Sequence, residues 1–198
     1  MKPLIIPPDQ CHELKDMNLL IHVCCAPDAV YIFKELRTFL KVYAFFYNPN
    51  IYPENEYDKR RIETDKVCKY LNIQNITGAY DSGRWHQIVQ GLETELEGGR
   101  RCELCYTFRL EATADEALKR KMDGFTTVLT VSPHKNAGII NEIGLDIGVA
   151  KGIRYIPSDF KKKEGFKNSV KLSRELELYR QNYCGCQFSI YPESKISG

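Results

Sequence analysis

Short apolar runs alternate with longer segments of helical periodicity along most of the chain. Leu19 to Val23 is the first such run, and it ends at Cys24-Cys25-Ala26-Pro27-Asp28, the pattern of a buried strand opening into a loop. Val30, Phe33, Leu36 and Leu40 then recur at helical spacing, with Asp28 as the expected N-cap. Val42 to Phe46 predicts a second strand, closed by Asn48-Pro49-Asn50. Glu54 to Leu71 is charged, with apolar Ile62, Val67 and Leu71, and predicts a surface helix; Ile73 to Thr77 predicts a third strand. Two successive strand–helix–strand steps imply a parallel sheet with helices on its faces.

Gly98-Gly99 introduces Arg100-Arg101-Cys102, and Phe108 to Lys121 is rich in Ala, Leu, Glu and Lys, so Cys102 and Cys105 are expected at a helix start. Thr126 to Val131 predicts a strand broken by Ser132-Pro133, Ala137 to Val149 a helix interrupted by glycines, and Ile153 to Ile156 a last strand. After the basic stretch Phe160 to Lys167, a helix is expected over Leu172 to Tyr179, with Cys184 and Cys186 beyond it. No repeat, low-complexity tract or linker divides the chain. The reading is one α/β domain over 1–198, a parallel sheet flanked by helices. Ligands of such sheets collect outside the carboxyl ends of the strands. Cys24, Cys25 and the segment Ser132 to His134 are expected at that edge.

With 198 residues, 43% of them hydrophobic, the chain can fill one substantial core. The net charge of +2 is too balanced to argue for a nucleic-acid partner, so any basic face must be local. The start, MKPLIIPPDQ, is broken by prolines and has no cleavage site, and no run approaches the roughly 20 apolar residues of a membrane span. A cytosolic protein with no membrane contact is expected.

In a reducing compartment, eight cysteines point to metal or redox chemistry rather than disulfides. Six fall in close pairs: Cys24-Cys25, Cys102-x-x-Cys105 and Cys184-Gly185-Cys186. Cys11 and Cys68 stand alone and read as small buried hydrophobes. Cys-x-x-Cys by itself serves zinc, iron–sulfur or thioredoxin-like chemistry. Adjacent cysteines are too close to pair with one another, and a Cys-Cys plus Cys-x-x-Cys quartet departs from zinc knuckles while matching the four thiolates of a cubane. The Cys-Gly-Cys pair suits a second metal or a reversible dithiol. A zinc-stapled domain without chemistry is the bland alternative.

Five segments together resemble the QueH epoxyqueuosine reductases: His22-Val23-Cys24-Cys25-Ala26-Pro27-Asp28; Tyr47-Asn48-Pro49-Asn50-Ile51-Tyr52-Pro53 with Glu56-Tyr57 and Arg60; Arg101-Cys102 through Arg109-Leu110; Asp159-Phe160-Lys161-Lys162; and Leu178-Tyr179 through Cys184-Gly185-Cys186. The resemblance covers nearly the whole chain. It implies two-electron reduction of epoxyqueuosine to queuosine at the tRNA wobble position, by a metal-dependent route without cobalamin. Asp28 stands where a cysteine can occur in a similar motif. The implied fold is similar to the nucleotide α-hydrolase (HUP-like) group. The Ser-Gly-Gly-x-Asp-Ser loop of that group's ATP pyrophosphatases is missing, so ATP use is not expected.

On that resemblance Cys24, Cys25, Cys102 and Cys105 are the expected ligands of a [4Fe-4S] cluster, with Cys184 and Cys186 as ligands of a second metal (iron) or as a redox dithiol. An external electron donor is implied. Proton-donor candidates are Asp28, Asp81, Tyr106 and Tyr183, each with a capping or packing alternative. His22 reads as a core histidine, and His134 as better placed for chemistry. Arg100, Arg101, Lys161, Lys162, Lys163 and Arg180, with Lys167, Lys171 and Arg174, form the candidate tRNA contact, against the reading of a merely solvated face. Tyr52, Tyr57 and Trp85 are candidates for stacking on a splayed-out base. The competing functions are a sulfonucleotide reductase, a thiol–disulfide oxidoreductase and a zinc-stapled RNA-binding module.

Overall fold

The computed structural model describes residues 14–189, so the readings on MKPLIIPPDQ and Cys11 lie outside the described residues. Within them the apolar runs become five parallel strands: β1 (Asn18–His22), β2 (Lys41–Phe46), β3 (Gln74–Thr77), β4 (Gly124–Thr127) and β5 (Arg154–Tyr155). Their order is β3-β2-β1-β4-β5. Central β1 is paired on both edges, Leu20 lying opposite Tyr43 of β2 and Phe125 of β4. That double burial explains why β1 reads as a continuous apolar run rather than an alternating one.

The connecting helices are α1 (Ala26–Leu36), α2 (Glu54–Tyr70), α3 (Ser82–Ile88), α4 (Arg100–Lys119), α5 (Ala137–Lys151) and α6 (Gly165–Glu175). The chain winds outward from β1 to β3, then returns to the other side of β1 for β4 and β5. Right-handed crossovers therefore place α1 and α2 on one face and α4 and α5 on the opposite one. Contacts agree: α1 packs against α2 and α6, and α4 against α5. The reversal between β1 and β4 creates a switch point at the carboxyl ends of those two strands. Among the described residues no helix is long and apolar enough to cross a membrane.

Several sequence expectations shift. Helix α1 begins at Ala26 with extended Cys25 as its N-cap, so Asp28 lies in the first turn instead of capping it. Pro27 fits there because the first helical N–H groups need no partner within the helix. Strand β4 stops at Thr127, whose hydroxyl accepts from the Leu129 amide at 3.1 Å, and Val128–Val131 turns as a 3-10 helix. The expected helix over 172–179 starts earlier and ends at Glu175. Glu177 adopts a left-handed φ of 51°, and the Leu178 amide donates back to the Ser173 carbonyl at 2.9 Å, closing the helix end. The glycines interrupting α5 have a packing cause: a side chain at Gly144 would collide with the ring of Tyr155 on β5.

Candidate metal centre

The end of β1 is fixed from both sides. The Val23 amide donates to the Phe45 carbonyl at 2.9 Å, and Asn48 Nδ2 donates to the Val23 carbonyl at 2.8 Å. The chain then turns into α1 through Cys24 and Cys25, which sit at a helix N-terminus, where the dipole favours thiolates. Both cysteines are buried, with their sulfurs 3.8 Å apart. Asp28, one turn along, has Oδ2 3.4 Å from Cys24 Sγ, and Gln181 Nε2 donates to Cys25 Sγ at 2.9 Å. Cys24, Cys25 and Asp28 offer three donor atoms within 4.8 Å of one another.

The other four paired cysteines converge from α4 and the tail. Cys102 and Cys105 lie one turn apart at the start of α4, and the Gly98 amide donates to Cys102 Sγ at 3.2 Å. Charge on Cys184 raises the pKa of both the Cys102 and the Cys105 thiols, after burial, the largest cause. Cys186 is pushed up to about 12, first by burial, and also feels Cys105 and Cys184. Within the adjacent pair, Cys24 is the thiol that ionises first. The hydrogen bond from Cys25 lowers its pKa, while burial raises that of Cys25 well above the usual thiol range.

A cavity of about 500 Å³ opens at the switch point, with Cys24, Asp28 and Cys184 in its wall. Its cationic lining is Arg60, Arg109, Lys135 and Arg180. Arg109 is only 2% exposed; Nε donates to the Cys105 carbonyl at 3.2 Å and Nη1 reaches Asn48 Oδ1 at 3.4 Å, but Nη2 has no partner among the described residues. Burial alone would weaken its charge, yet Cys105, Cys184 and Cys24 outweigh that and raise its pKa. Lys135 behaves alike: burial opposes its charge, and Cys184, Cys24 and Asp28 overcome it. Sequence reasoning gave neither cation a role. Their signal was charge placed beside Cys-x-x-Cys and beside His134.

Other expected site residues separate. Asp81 is exposed and caps α3, accepting from the Arg84 amide at 3.1 Å, and is not part of the cavity wall. Arg101 is 1% exposed and its Nη1 holds the carbonyls of Leu92, Glu93 and Glu95, so it is not available to a phosphate. Trp85 and Tyr57 are buried core residues, whereas Tyr52 is exposed. His22 is a core histidine, bonded to Thr127 Oγ1 and the Tyr47 carbonyl; burial lowers its pKa to about 3. Tyr106 is buried, while Tyr183 and His134 line the cavity. Arg180 does too, and Lys161 reaches the Lys135 carbonyl at 3.4 Å, joining the basic tract to the rim.

The donor chemistry fits metal. Two thiolates bound at about 2.3 Å to one tetrahedral ion stand about 3.8 Å apart, and a thiolate and a carboxylate oxygen about 3.6 Å. The Cys24–Cys25 and Cys24–Asp28 separations are close to both values.

Comparison with known proteins places the chain in a family. The family model described as epoxyqueuosine reductase QueH matches residues 19–191. The QueH protein of Thermotoga maritima is 42% identical over 176 residues, covering 87% of this chain and 90% of its own. That of Streptococcus pyogenes is 39% identical over 178 residues, covering 87% of this chain and 70% of its own. Among solved structures, the U34-tRNA thiolase NcsA of Methanococcus maripaludis, with its [4Fe-4S] cluster, superposes with a TM-score of 0.54 at 15% identity, over 93% of this chain and 62% of that one. The last likeness is one of fold, the HUP-like arrangement. With the family model spanning the strands, the paired cysteines and the cavity, the chain belongs to the QueH family of epoxyqueuosine reductases.

Proposed function

We propose that this chain reduces epoxyqueuosine to queuosine in tRNA, with all six paired cysteines and Asp28 serving one metal-dependent site. The observation that carries this reading is the single cavity where Cys24, Asp28 and Cys184 meet four cationic side chains. Cys102, Cys105, Cys184 and Cys186 are assigned to an iron–sulfur cluster, and Cys24, Cys25 and Asp28 to one iron ion. The close triad supports the second set, and the mutual influence of the four thiols supports the first. A different division, with Cys24, Cys25, Cys102 and Cys105 on the cluster, is the one that the sequence spacing suggests.

The reaction breaks both carbon–oxygen bonds of the epoxide and forms a carbon–carbon double bond. Two electrons and two protons are consumed, and the oxygen leaves as water. When bound, the metal groups would supply electrons singly and a Lewis acid for the departing oxygen. Lys135 and Arg109 offset negative charge at the sulfurs and at that oxygen. With Asp28 given to the iron, Tyr183 is the proton-donor candidate left in the cavity wall; Asp81 caps α3 and does not line it. Electrons come from an external one-electron donor.

Anaerobically purified protein is expected to contain iron and acid-labile sulfide. Once reduced, it should convert epoxyqueuosine-containing tRNA to queuosine without added ATP or cobalamin. Stoichiometric zinc without sulfide, or a strict ATP requirement, would reject the reading.

The tRNA is assigned to the rim bearing Arg100, Lys161, Lys162, Lys163 and Arg180. Lys161 and Lys162 both pair with Asp159, at 3.3 and 3.4 Å, which aligns the tract beside the cavity. Replacing Lys161, Lys162 and Lys163 together by alanine should reduce the slope of log affinity against log salt by about 2 to 3, since each lost phosphate contact releases roughly one fewer counterion. Filter-binding titrations at several salt concentrations read this directly. An unchanged slope would return the tract to an ordinary solvated face.

A further inference from the structure

Helix α2 buries charge beside its apolar Tyr57, Val67 and Cys68. Its apolar Ile62 is 46% exposed, whereas Glu56, Arg60 and Glu63 are buried, Arg60 to 1% exposure. Burying three charges on one helical face is unfavourable unless each finds partners. The partners come mostly from the tail. Arg60 Nη1 donates to the Cys184 carbonyl at 2.9 Å and Nη2 to the Tyr183 carbonyl at 3.2 Å, while Nε holds Glu56 at 2.6 Å. Glu56 Oε2 in turn accepts from the Tyr179 hydroxyl at 2.7 Å, and Glu63 Oε2 accepts from the Tyr179 amide at 3.0 Å.

The loop ahead of α2 adds to this dock. The Tyr52 amide donates to the Gly185 carbonyl at 2.7 Å, and the Tyr183 hydroxyl donates to the Tyr52 carbonyl at 2.5 Å. Gly185 has a φ of +115°, and a side chain there would meet Arg60 Nη1 at 2.9 Å and Ile51 Cγ1 at 3.0 Å. Cys-Gly-Cys is thus shaped by the guanidinium lying against it. Residues 178–186 belong to no helix or strand, so these contacts, with the Gln181 bond to Cys25 Sγ and the Arg180 bond to Ser173 Oγ, fix their path.

We infer that Arg60, with Glu56, Glu63 and Tyr179, is a positioning device that holds the tail against α2 and thereby sets Cys184 in the cavity wall and Cys186 buried beside it. Arg60 also lines the cavity, and the role inferred here is its hold on the tail backbone, that of a positioning residue. The functional meaning rests on the proposed role of those two cysteines as metal donors; the docking itself does not.

Two readouts on the full chain separate the two. In metal-free protein, Arg60→Ala should speed amide hydrogen exchange across residues 179–186, and alkylation of Cys184, by about tenfold or more, with the peptides of β1, β2 and β4 unchanged. Arg60→Lys should fail to restore protection, because one ammonium cannot span both carbonyls as the guanidinium fork does. Tyr179→Phe removes only the hydroxyl held by Glu56 and should give a smaller change in the same direction, which keeps the test valid should Arg60→Ala fold poorly. In metal-loaded enzyme the same variants should lower kcat with KM for tRNA within about twofold, and alter the visible spectrum. Unchanged exchange over 179–186, or equal loosening of the whole sheet, overturns the device. Local loosening with an unaltered visible spectrum upholds it and removes Cys184 and Cys186 from the metal donors.

Discussion

Serine in place of Cys184 is expected to bleach the iron–sulfur absorption of the protein, whereas serine in place of Cys24 leaves most of that absorption and removes one iron per chain. A serine hydroxyl is harder and far less acidic than a thiol, so it is a poor substitute for a thiolate on iron. Cys184 is the thiol whose charge acts on both Cys102 and Cys105, while Cys24 forms the close triad with Cys25 and Asp28. The two substitutions therefore strike different donor sets in one cavity. Reduction of epoxyqueuosine should fall in both cases by about 1,000-fold or more, because several kcal/mol of metal-derived stabilisation is lost. Asp28→Asn should behave as Cys24→Ser, with the iron lost and the cluster absorption kept. Iron and sulfide analysis beside the visible spectrum of each variant decides the matter. If Cys24→Ser bleaches the protein fully and Cys184→Ser does not, the cluster ligands are Cys24, Cys25, Cys102 and Cys105, as the spacing of the sequence alone suggests.

Strands β1 and β2 were legible because they are apolar over most of their length, and burial on both sheet faces leaves few other ways to place such runs; β4, Gly-Phe-Thr-Thr, was caught only at Thr126-Thr127, because the apolar run that marked it turns as a 3-10 helix. Helix α3 offers only Trp85 to the core, too little periodicity for a sequence to reveal. In α2 Val67, and at its C-cap Leu71, are buried as their pattern predicts, but Ile62 is 46% exposed and the first half of the inward face carries Glu56, Arg60 and Glu63 beside Tyr57. The tail helix was displaced for a related reason. Lysines at 167 and 171 mask a helix whose buried positions are Gly165, Ser169 and Ser173, small residues that hydropathy does not mark.

At the site, the cysteine pairs were legible from spacing; which of them share a metal depends on where the tail returns, and the serine substitutions of Cys24 and Cys184 test it. Arg101 and Arg109 illustrate the gap. Both lie in one stretch of α4 and both are buried, yet one guanidinium holds a loop and the other lines the cavity with Cys24 and Cys184. Only three-dimensional partners distinguish them.

That difference leads to the second large effect. A fully buried guanidinium with an unpartnered Nη2 is expensive to keep unless negative charge faces it, and Cys105, Cys184 and Cys24 are the groups whose charge raises its pKa. Metal binding requires those thiols as thiolates, so Arg109 should favour loading as well as the more negative, reduced state of the centre. Arg109→Met keeps a long apolar stem but removes the charge and its donors. Metal retention should fall by about 10- to 100-fold, as for other residues that support metal ligands. In the fraction that stays loaded, the reduction potential should move to more negative values by on the order of 100 mV, the effect of deleting one nearby unit charge at an effective dielectric of about 20. Arg109→Lys retains the charge without the fork and should recover much of the potential while leaving the Cys105 carbonyl less well held. Potentiometric titration of wild type and both variants, with iron content measured on the same samples, checks the sign and the order. An Arg109→Met protein that loads fully and titrates at the wild-type potential would show that the orphan Nη2 faces substrate or solvent rather than the sulfurs.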